Sequence, residues 1–289
     1  MIYICADDYG LCGVSDEHID ECCERGILNK ISILPGLRYK NEEIKNISLH
    51  INLVEGKALS RRENVSLLTT NDGKFRYSFG NLFILSLSPK RKQLKKQLYA
   101  EIKAQISYFC SEVSPDSPIM VDSHQHTHMI PLVFKTLMKV IEDEKINVKY
   151  LRIPAEPIMP YVKTPSLYFT YSPVNLIKQW LLKILWQINK KEFKKLKISP
   201  ALFMGILFSG CMDEIRVKKI LPHYIRLCKK HNKDMEILFH PGFIDKEIKT
   251  ETIREEFSKF YLSEGRKIEY NTVINLKKQE KEVFKSALY

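Results

Sequence analysis

The sequence predicts an α/β fold built on a mainly parallel sheet or barrel, and two observations predict it. First, short apolar runs alternate with amphipathic segments in the order strand, helix, strand, strand, helix, strand, helix, strand between Met1 and Ile153. Right-handed crossovers of this kind bring successive strands together in parallel. Second, the apolar runs end in polar, ligand-rich residues: Asp7-Asp8, His50, His124-x-His126-x-His128 and His240. The C-terminal ends of parallel strands share one rim, so groups far apart in sequence converge there. No internal repeat or linker divides the 289 residues. One domain over 1–289 is therefore expected, interrupted by an unusual segment at about 163–200.

The elements follow in order. Residues 1–6 are apolar with little alternation, as in a strand buried on both faces, and Asp7-Asp8-Tyr9-Gly10 closes them. Ser15 is placed as the N-cap of a helix with Asp16 and Glu17 in its first turn, where the helix dipole favours anions. That helix runs to about Arg25 and stops at Gly26, read as a left-handed C′ residue. A short strand at 31–34 ends at Pro35-Gly36. Residues 47–53 form a third strand, with Ser48, His50 and Asn52 on one face and Ile47, Leu49, Ile51 and Leu53 on the other. Residues 57–80 read as a long loop with a hairpin turn at Asn71-Asp72-Gly73.

Leu94, Leu98, Ile102, Ile106 and Phe109 give residues 91–112 the stripe of an amphipathic crossover helix. The run Ile119-Met120-Val121 is a strand that opens into the histidine cluster, and Pro131 suits the first position of the next helix. Strands follow at 150–153 and 235–239, with a helix at 213–231 between them. Residues 251–289 are helical in period, with Val273-Ile274 read as a last strand. Residues 174–188 are apolar around most of a helical circumference and run into Lys190, Lys191, Lys194, Lys195 and Lys197. That segment reads either as a helix packed on the domain or a partner chain, or as an interfacial helix at an anionic membrane.

Composition sets further bounds. The chain is 44% apolar and 28% charged, which is globular, and no stretch of about 18 apolar residues is free of charge, which argues against a spanning helix. Met1 to Ala6 has no basic region and runs straight into Asp7-Asp8, unlike a signal peptide. The seven cysteines show no CxxC spacing. The expectation is a protein with reduced thiols in the cytoplasm, at the inner membrane face if 174–197 binds lipid. A net charge of +12 favours anionic partners. No nucleic-acid-binding motif accompanies it, so nucleic acid is not expected as a partner. An oligomer is left open.

One carboxylate and two imidazoles on a shared rim form a facial ligand set that leaves positions for water and substrate. With Asp7-Asp8 adjacent, one carboxylate can ligate and the other take a proton from the attacking water. His240 then either protonates the leaving group, orients an acidic partner, or marks a turn fixed by Pro241-Gly242.

These residues resemble the YdjC-like carbohydrate deacetylases, a family that includes chitooligosaccharide and hopanoid-associated deacetylases. The match lies in Ala6-Asp7-Asp8-Tyr9-Gly10, His50-Ile51-Asn52-Leu53-Val54-Glu55-Gly56, Asp122-Ser123-His124-Gln125-His126-Thr127-His128, Leu151-Arg152-Ile153-Pro154 and His240-Pro241-Gly242-Phe243, in family order along nearly the whole chain. The resemblance implies a distorted (β/α) barrel related to polysaccharide deacetylases. It implies one divalent metal, magnesium by family assignment, held by Asp8, His50 and His124; two imidazoles would suit zinc at least as well. Asp7 matches the general base, and His240 suits the acid. Arg152 and Glu156 are candidates for holding the sugar or orienting Asp7; Tyr9, His126 and His128 join them as substrate-side candidates. Tyr9 stands where phenylalanine is more usual, and 163–200 has no counterpart in the short-chain chitooligosaccharide members, which points to a modified substrate cleft. The implied reaction is removal of an acetyl group from an N-acetylated amino sugar or oligosaccharide, free or lipid-linked. The alternatives are another metal-dependent hydrolase such as a phosphoesterase, and a non-enzymatic membrane-surface protein.

Overall fold

Seven strands form one parallel sheet among the described residues of the computed structural model, which are 1–36, 44–115, 117–244 and 259–279. They are β1 (Ile2–Tyr9), β2 (Lys30–Ile33), β3 (Asn46–Ile51), β4 (Ile119–Ser123), β5 (Val148–Leu151), β6 (Leu202–Met204) and β7 (Met235–Phe239). Their spatial order is β5-β4-β3-β2-β1-β7-β6, and every pairing is parallel. The longer helices are α1 (Gly13–Arg25), the short α2 (Arg62–Val65), α3 (Phe79–Leu87), α4 (Arg91–Glu112), α5 (Pro131–Asp143), the short α6 (Met159–Val162), α7 (Pro173–Phe193), α8 (Glu214–His231) and α9 (Glu264–Lys278).

The sheet is strongly curled, and its side chains show why. β5 lies at one edge, five inter-strand steps from β7. In a flat sheet that would be roughly 24 Å, at about 4.8 Å per step. Yet the Tyr150 hydroxyl of β5 donates to the Glu236 carboxylate of β7, and Lys30 of β2 reaches the same carboxylate at 2.8 Å. Only a sheet rolled into a half-barrel brings these groups together, so the expected distorted barrel is the fold observed. Its interior is charged: Lys30, Asp122, Arg152 and Glu236 have no exposed surface. Two apolar layers sit outside it. One packs α4, α5 and α7 against β3 to β5; the other packs α1 and α8 against β1, β2, β6 and β7.

Several local expectations need correction. Cys12, not Ser15, occupies the N-cap of α1, and Ser15 is buried within the helix. Gly26 does follow α1, but with φ −100° rather than a left-handed value. Its requirement is space: a Cβ there would lie 2.5 Å from the Cys22 carbonyl oxygen and 2.6 Å from Val273 Cγ1. Val273-Ile274 is not a strand but part of α9, whose buried side meets α1 at that glycine. Strand β6 and helix α3 were not anticipated; three residues are too few to show a period. At Gly73 (φ 81°) the chain does turn, between the antiparallel bridges Lys57–Lys74 and Thr69–Phe75.

Candidate active site

The site begins with a defect in β1. Ala6 pairs with Ile31 but Tyr9 pairs with Ile33, so β1 carries one residue more than its partner across Asp7-Asp8. Asp8 has φ 70°, a strained left-handed value for a residue with a side chain. Consecutive residues of a regular strand point to opposite faces; the bulge cancels that alternation. Both Asp7 and Asp8 therefore line one cavity of about 440 Å³ at the C-terminal rim, with His50, His124, His126 and His240.

Asp8, His50 and His124 form a buried cluster whose ligand atoms lie within 4.8 Å of one another. Asp8 Oδ1 is 2.9 Å from His124 Nδ1 and 3.6 Å from His50 Nε2. Each imidazole has its other nitrogen on a buried carboxylate: His50 Nδ1 is 2.6 Å from Asp122 Oδ1, and His124 Nε2 is 2.5 Å from Glu55 Oε2. This arrangement fixes tautomer and ring orientation at metal-ligating histidines. The Tyr261 hydroxyl donates to the same Glu55 oxygen at 2.7 Å. The three groups can thus hold a metal ion, and the donor set suits a divalent transition metal.

The electrostatics agree with that fit. Burial opposes a charge on Asp8, but His124 and the Arg266 guanidinium outweigh it and hold the carboxyl well below its usual range. Arg266 donates to Asp8 Oδ2 at 2.5 Å. Burial also opposes a charge on His124, yet Asp8 and Glu55 push it up to about 10. His124 is therefore an imidazolium between two carboxylates. A divalent cation replacing its Nδ1 proton would add one positive charge, beside the carboxylates of Asp8, Asp7 and Glu55.

Asp7 sits in a different setting. Arg152 grips it with a two-pronged ion pair, Nη1 to Oδ2 at 2.6 Å and Nη2 to Oδ1 at 2.8 Å. The same guanidinium holds Glu236 at 2.7 Å and lies 3.3 Å from Asp122. Arg152 is wholly buried, so it orients Asp7 and does not face the cavity. Glu156 is likewise buried, and accepts from the backbone N–H groups of Gly205, Ile206 and Leu207 and from the Tyr161 hydroxyl. It ties the end of β6 in place.

His128 accepts from the Ser123 hydroxyl through Nδ1 at 2.5 Å and donates to the Arg152 carbonyl through Nε2 at 2.8 Å. Burial pushes it down to about 4, so it is neutral. The Tyr9 hydroxyl donates to Asp20. Arg152, Glu156, His128 and Tyr9 are absent from the cavity lining; of the two roles expected for Arg152, holding the sugar or orienting Asp7, its position fits the second. His126 does line it, with φ 57° and a buried Nδ1 that makes no hydrogen bond. His240 lines it too; its backbone N–H donates to Glu269 at 2.5 Å, and its Nδ1 makes no hydrogen bond.

Glu55 and Asp122 lay within the quoted motifs without being assigned roles; their service behind His50 and His124 depends on strand register. Tyr261 and Arg266 had no local signal. Nor had Lys178, which α7 extends into the cavity.

A curled parallel sheet with a buried Asp–His–His cluster on its C-terminal rim defines an α/β barrel-like protein with a candidate metal site. A family model described as YdjC-like protein matches residues 1–281, and the chain belongs to that family. It is 30% identical over 164 residues to a carbohydrate deacetylase of Danio rerio, covering 54% of this chain and 50% of that one. It is 26% identical over 196 residues to a carbohydrate deacetylase of Thermoanaerobacter pseudethanolicus, covering 64% and 75%. The chain spans about half the length of its fish and human relatives. The fold is shared with an Enterococcus faecalis protein described as a cellobiose-phosphate cleavage protein, at a TM-score of 0.65 and 18% identity over 99% of this chain and 94% of that one.

Proposed function

We propose that this chain is a metal-dependent carbohydrate deacetylase that hydrolyses the N-acetyl group of an amino sugar to acetate and a free amine. The observation that carries the reading is the buried Asp8–His50–His124 cluster in the cavity, with the separately held carboxylate of Asp7 beside it. The relatives named carbohydrate deacetylase support the reaction class.

A divalent ion held by Asp8, His50 and His124 would supply Lewis acidity at the acyl carbonyl. Asp7 is the base. Arg152 fixes its plane, and carboxylate lone pairs remain free to take the proton of an attacking water. His240 lines the cavity; its buried Nδ1 lies 3.6 Å from the Glu269 carboxylate, which leaves Nε2 to donate the proton that the departing nitrogen needs. The apolar wall of Phe79, Val174, Ile177, Leu181 and Leu182 excludes water and receives the apolar faces of the sugar. The donor set favours zinc on chemistry and magnesium on family resemblance. A second group, Asp7, His50 and Asp122, is also close enough for a metal, but Arg152 and Lys30 already neutralise its carboxylates. A single ion follows, which speaks against a two-metal phosphoesterase.

The test is acetate release from a panel of N-acetylated sugars with and without chelator, alongside metal content per chain. Asp8→Ala and His50→Ala are expected to lose bound metal and at least 10³-fold of turnover, the scale of losing electrostatic stabilisation in the transition state. Full activity in either variant overturns the assignment.

A further inference from the structure

The outer face of α7 has a feature that the proposed reaction does not use. Its inner face, including Gln179, Leu182, Leu185, Asn189 and Phe193, is buried. The opposite face carries Ile177, Trp180, Ile184 and Ile188 at helical spacing, exposed by 67%, 65%, 38% and 52%. Steps of three and four residues continue this stripe into Lys191 and Lys195. Just before the helix, Phe169 is fully exposed. A tryptophan and three isoleucines in water on one helical face are not explained by the packing of the domain.

We infer that the outer face of α7 is an interfacial membrane-binding helix for an anionic phospholipid surface. Three observations favour that occupant over a second copy of the chain. The stripe passes directly into lysines, the pattern of helices that bury an apolar face among headgroups and meet lipid phosphates with their basic end. Symmetric pairing of copies fits the stripe poorly: a parallel pair sets the lysines against their own counterparts, and an antiparallel pair centred on the stripe sets Lys191 and Lys195 opposite Trp180 and Ile177. The stripe is also continuous with the site: Ile177 belongs both to the exposed face and to the cavity lining, where Val174 and Leu181 join it. A protein lying on α7 would hold its cavity mouth against the membrane surface. No helix among the described residues is long and apolar enough to cross a membrane, so the contact is peripheral.

The experiment is co-sedimentation of the full chain with vesicles of phosphatidylglycerol and phosphatidylcholine, compared with phosphatidylcholine alone, with tryptophan emission read in parallel. Trp180 is exposed, whereas Trp186 packs edge-on against Phe193 at 5.3 Å. Binding should shift emission to the blue with anionic vesicles, and Trp180→Phe should remove most of that shift. Trp180→Glu/Ile184→Glu should abolish sedimentation without changing the circular dichroism spectrum. Lys191→Glu and Lys195→Glu should each weaken partitioning about fivefold or more, since each lysine near an anionic surface contributes about a factor of five. Equal binding to neutral vesicles, no binding at all, or unaltered sedimentation of the double variant overturns the inference. So does a concentration-dependent dimer that Trp180→Glu dissociates in the absence of lipid binding.

Discussion

Asp7 and Asp8 are neighbours in sequence with opposite commitments: Arg152 grips the first in a two-pronged ion pair, while His50 and His124 draw the second into a candidate ligand cluster. A third acid on the same rim behaves differently. Asp16 Oδ1 accepts the Gly10 N–H at 2.7 Å, but burial raises its pKa to about 7, with Asp20 and Asp8 adding to the rise. The folded carboxyl thus binds its proton more tightly than the unfolded chain does. Ionising it works against folding, so stability present below about pH 4 is lost as the pH climbs to about 7. Asp16→Asn keeps an acceptor without the charge, and should gain about 1–2 kcal/mol over the wild type above that window, a figure already reduced for partial solvation. Urea unfolding across the range would show converging curves at low pH; curves that stay parallel would refute the argument. At this scale the sequence revealed the groups at strand ends, Asp7, Asp8, His50, His124 and His240, because the end of an apolar run is a local signal. It did not reveal Tyr261 or Arg266, whose roles exist only after α9 docks. It also offered Glu156 as a sugar contact or a partner of Asp7, whereas three backbone N–H groups claim it.

Among the elements, those with strong period or clear caps were legible. Helix α4 spans the expected residues, and α8 is capped by Asp213, whose side chain accepts from the Arg216 N–H at 2.8 Å. The ends of α1 were misread because propensity spoke for Ser15 while packing decided otherwise. Gly26 shows the same conflict: it is needed for closeness rather than for handedness. Gly26→Ala would push the C-terminal end of α1 away from Val273 on α9, at a cost of about 1–3 kcal/mol, as for overpacked cores. A denaturation midpoint equal to the wild type would show that the two helices have room to separate.

For the whole molecule, an α/β barrel was legible from strand and helix order, but its degree of curl was not. That depends on buried charges far apart in sequence, Lys30, Arg152 and Glu236, meeting inside the sheet. A cation at Asp8, His50 and His124 would bind the folded chain alone, since the ligands come from β1, β3 and the turn after β4. Divalent metal at about a hundred times its dissociation constant should therefore raise stability by roughly 2.7 kcal/mol. The melting temperature should rise with metal and fall back with chelator, and His50→Ala should not respond. An unresponsive wild type would count against the cluster as a metal site.

The bond from Arg266 to Asp8 joins residues 258 positions apart. A ribosome making this chain lays down the first candidate ligand early and the cation that steadies it only after every strand of the sheet has been synthesised. Until then Asp8 lacks one of its two main positive neighbours. The candidate site is consequently completed late in synthesis, with the docking of α9, and a nascent chain stalled short of that helix carries the candidate ligands without the guanidinium that steadies the first of them.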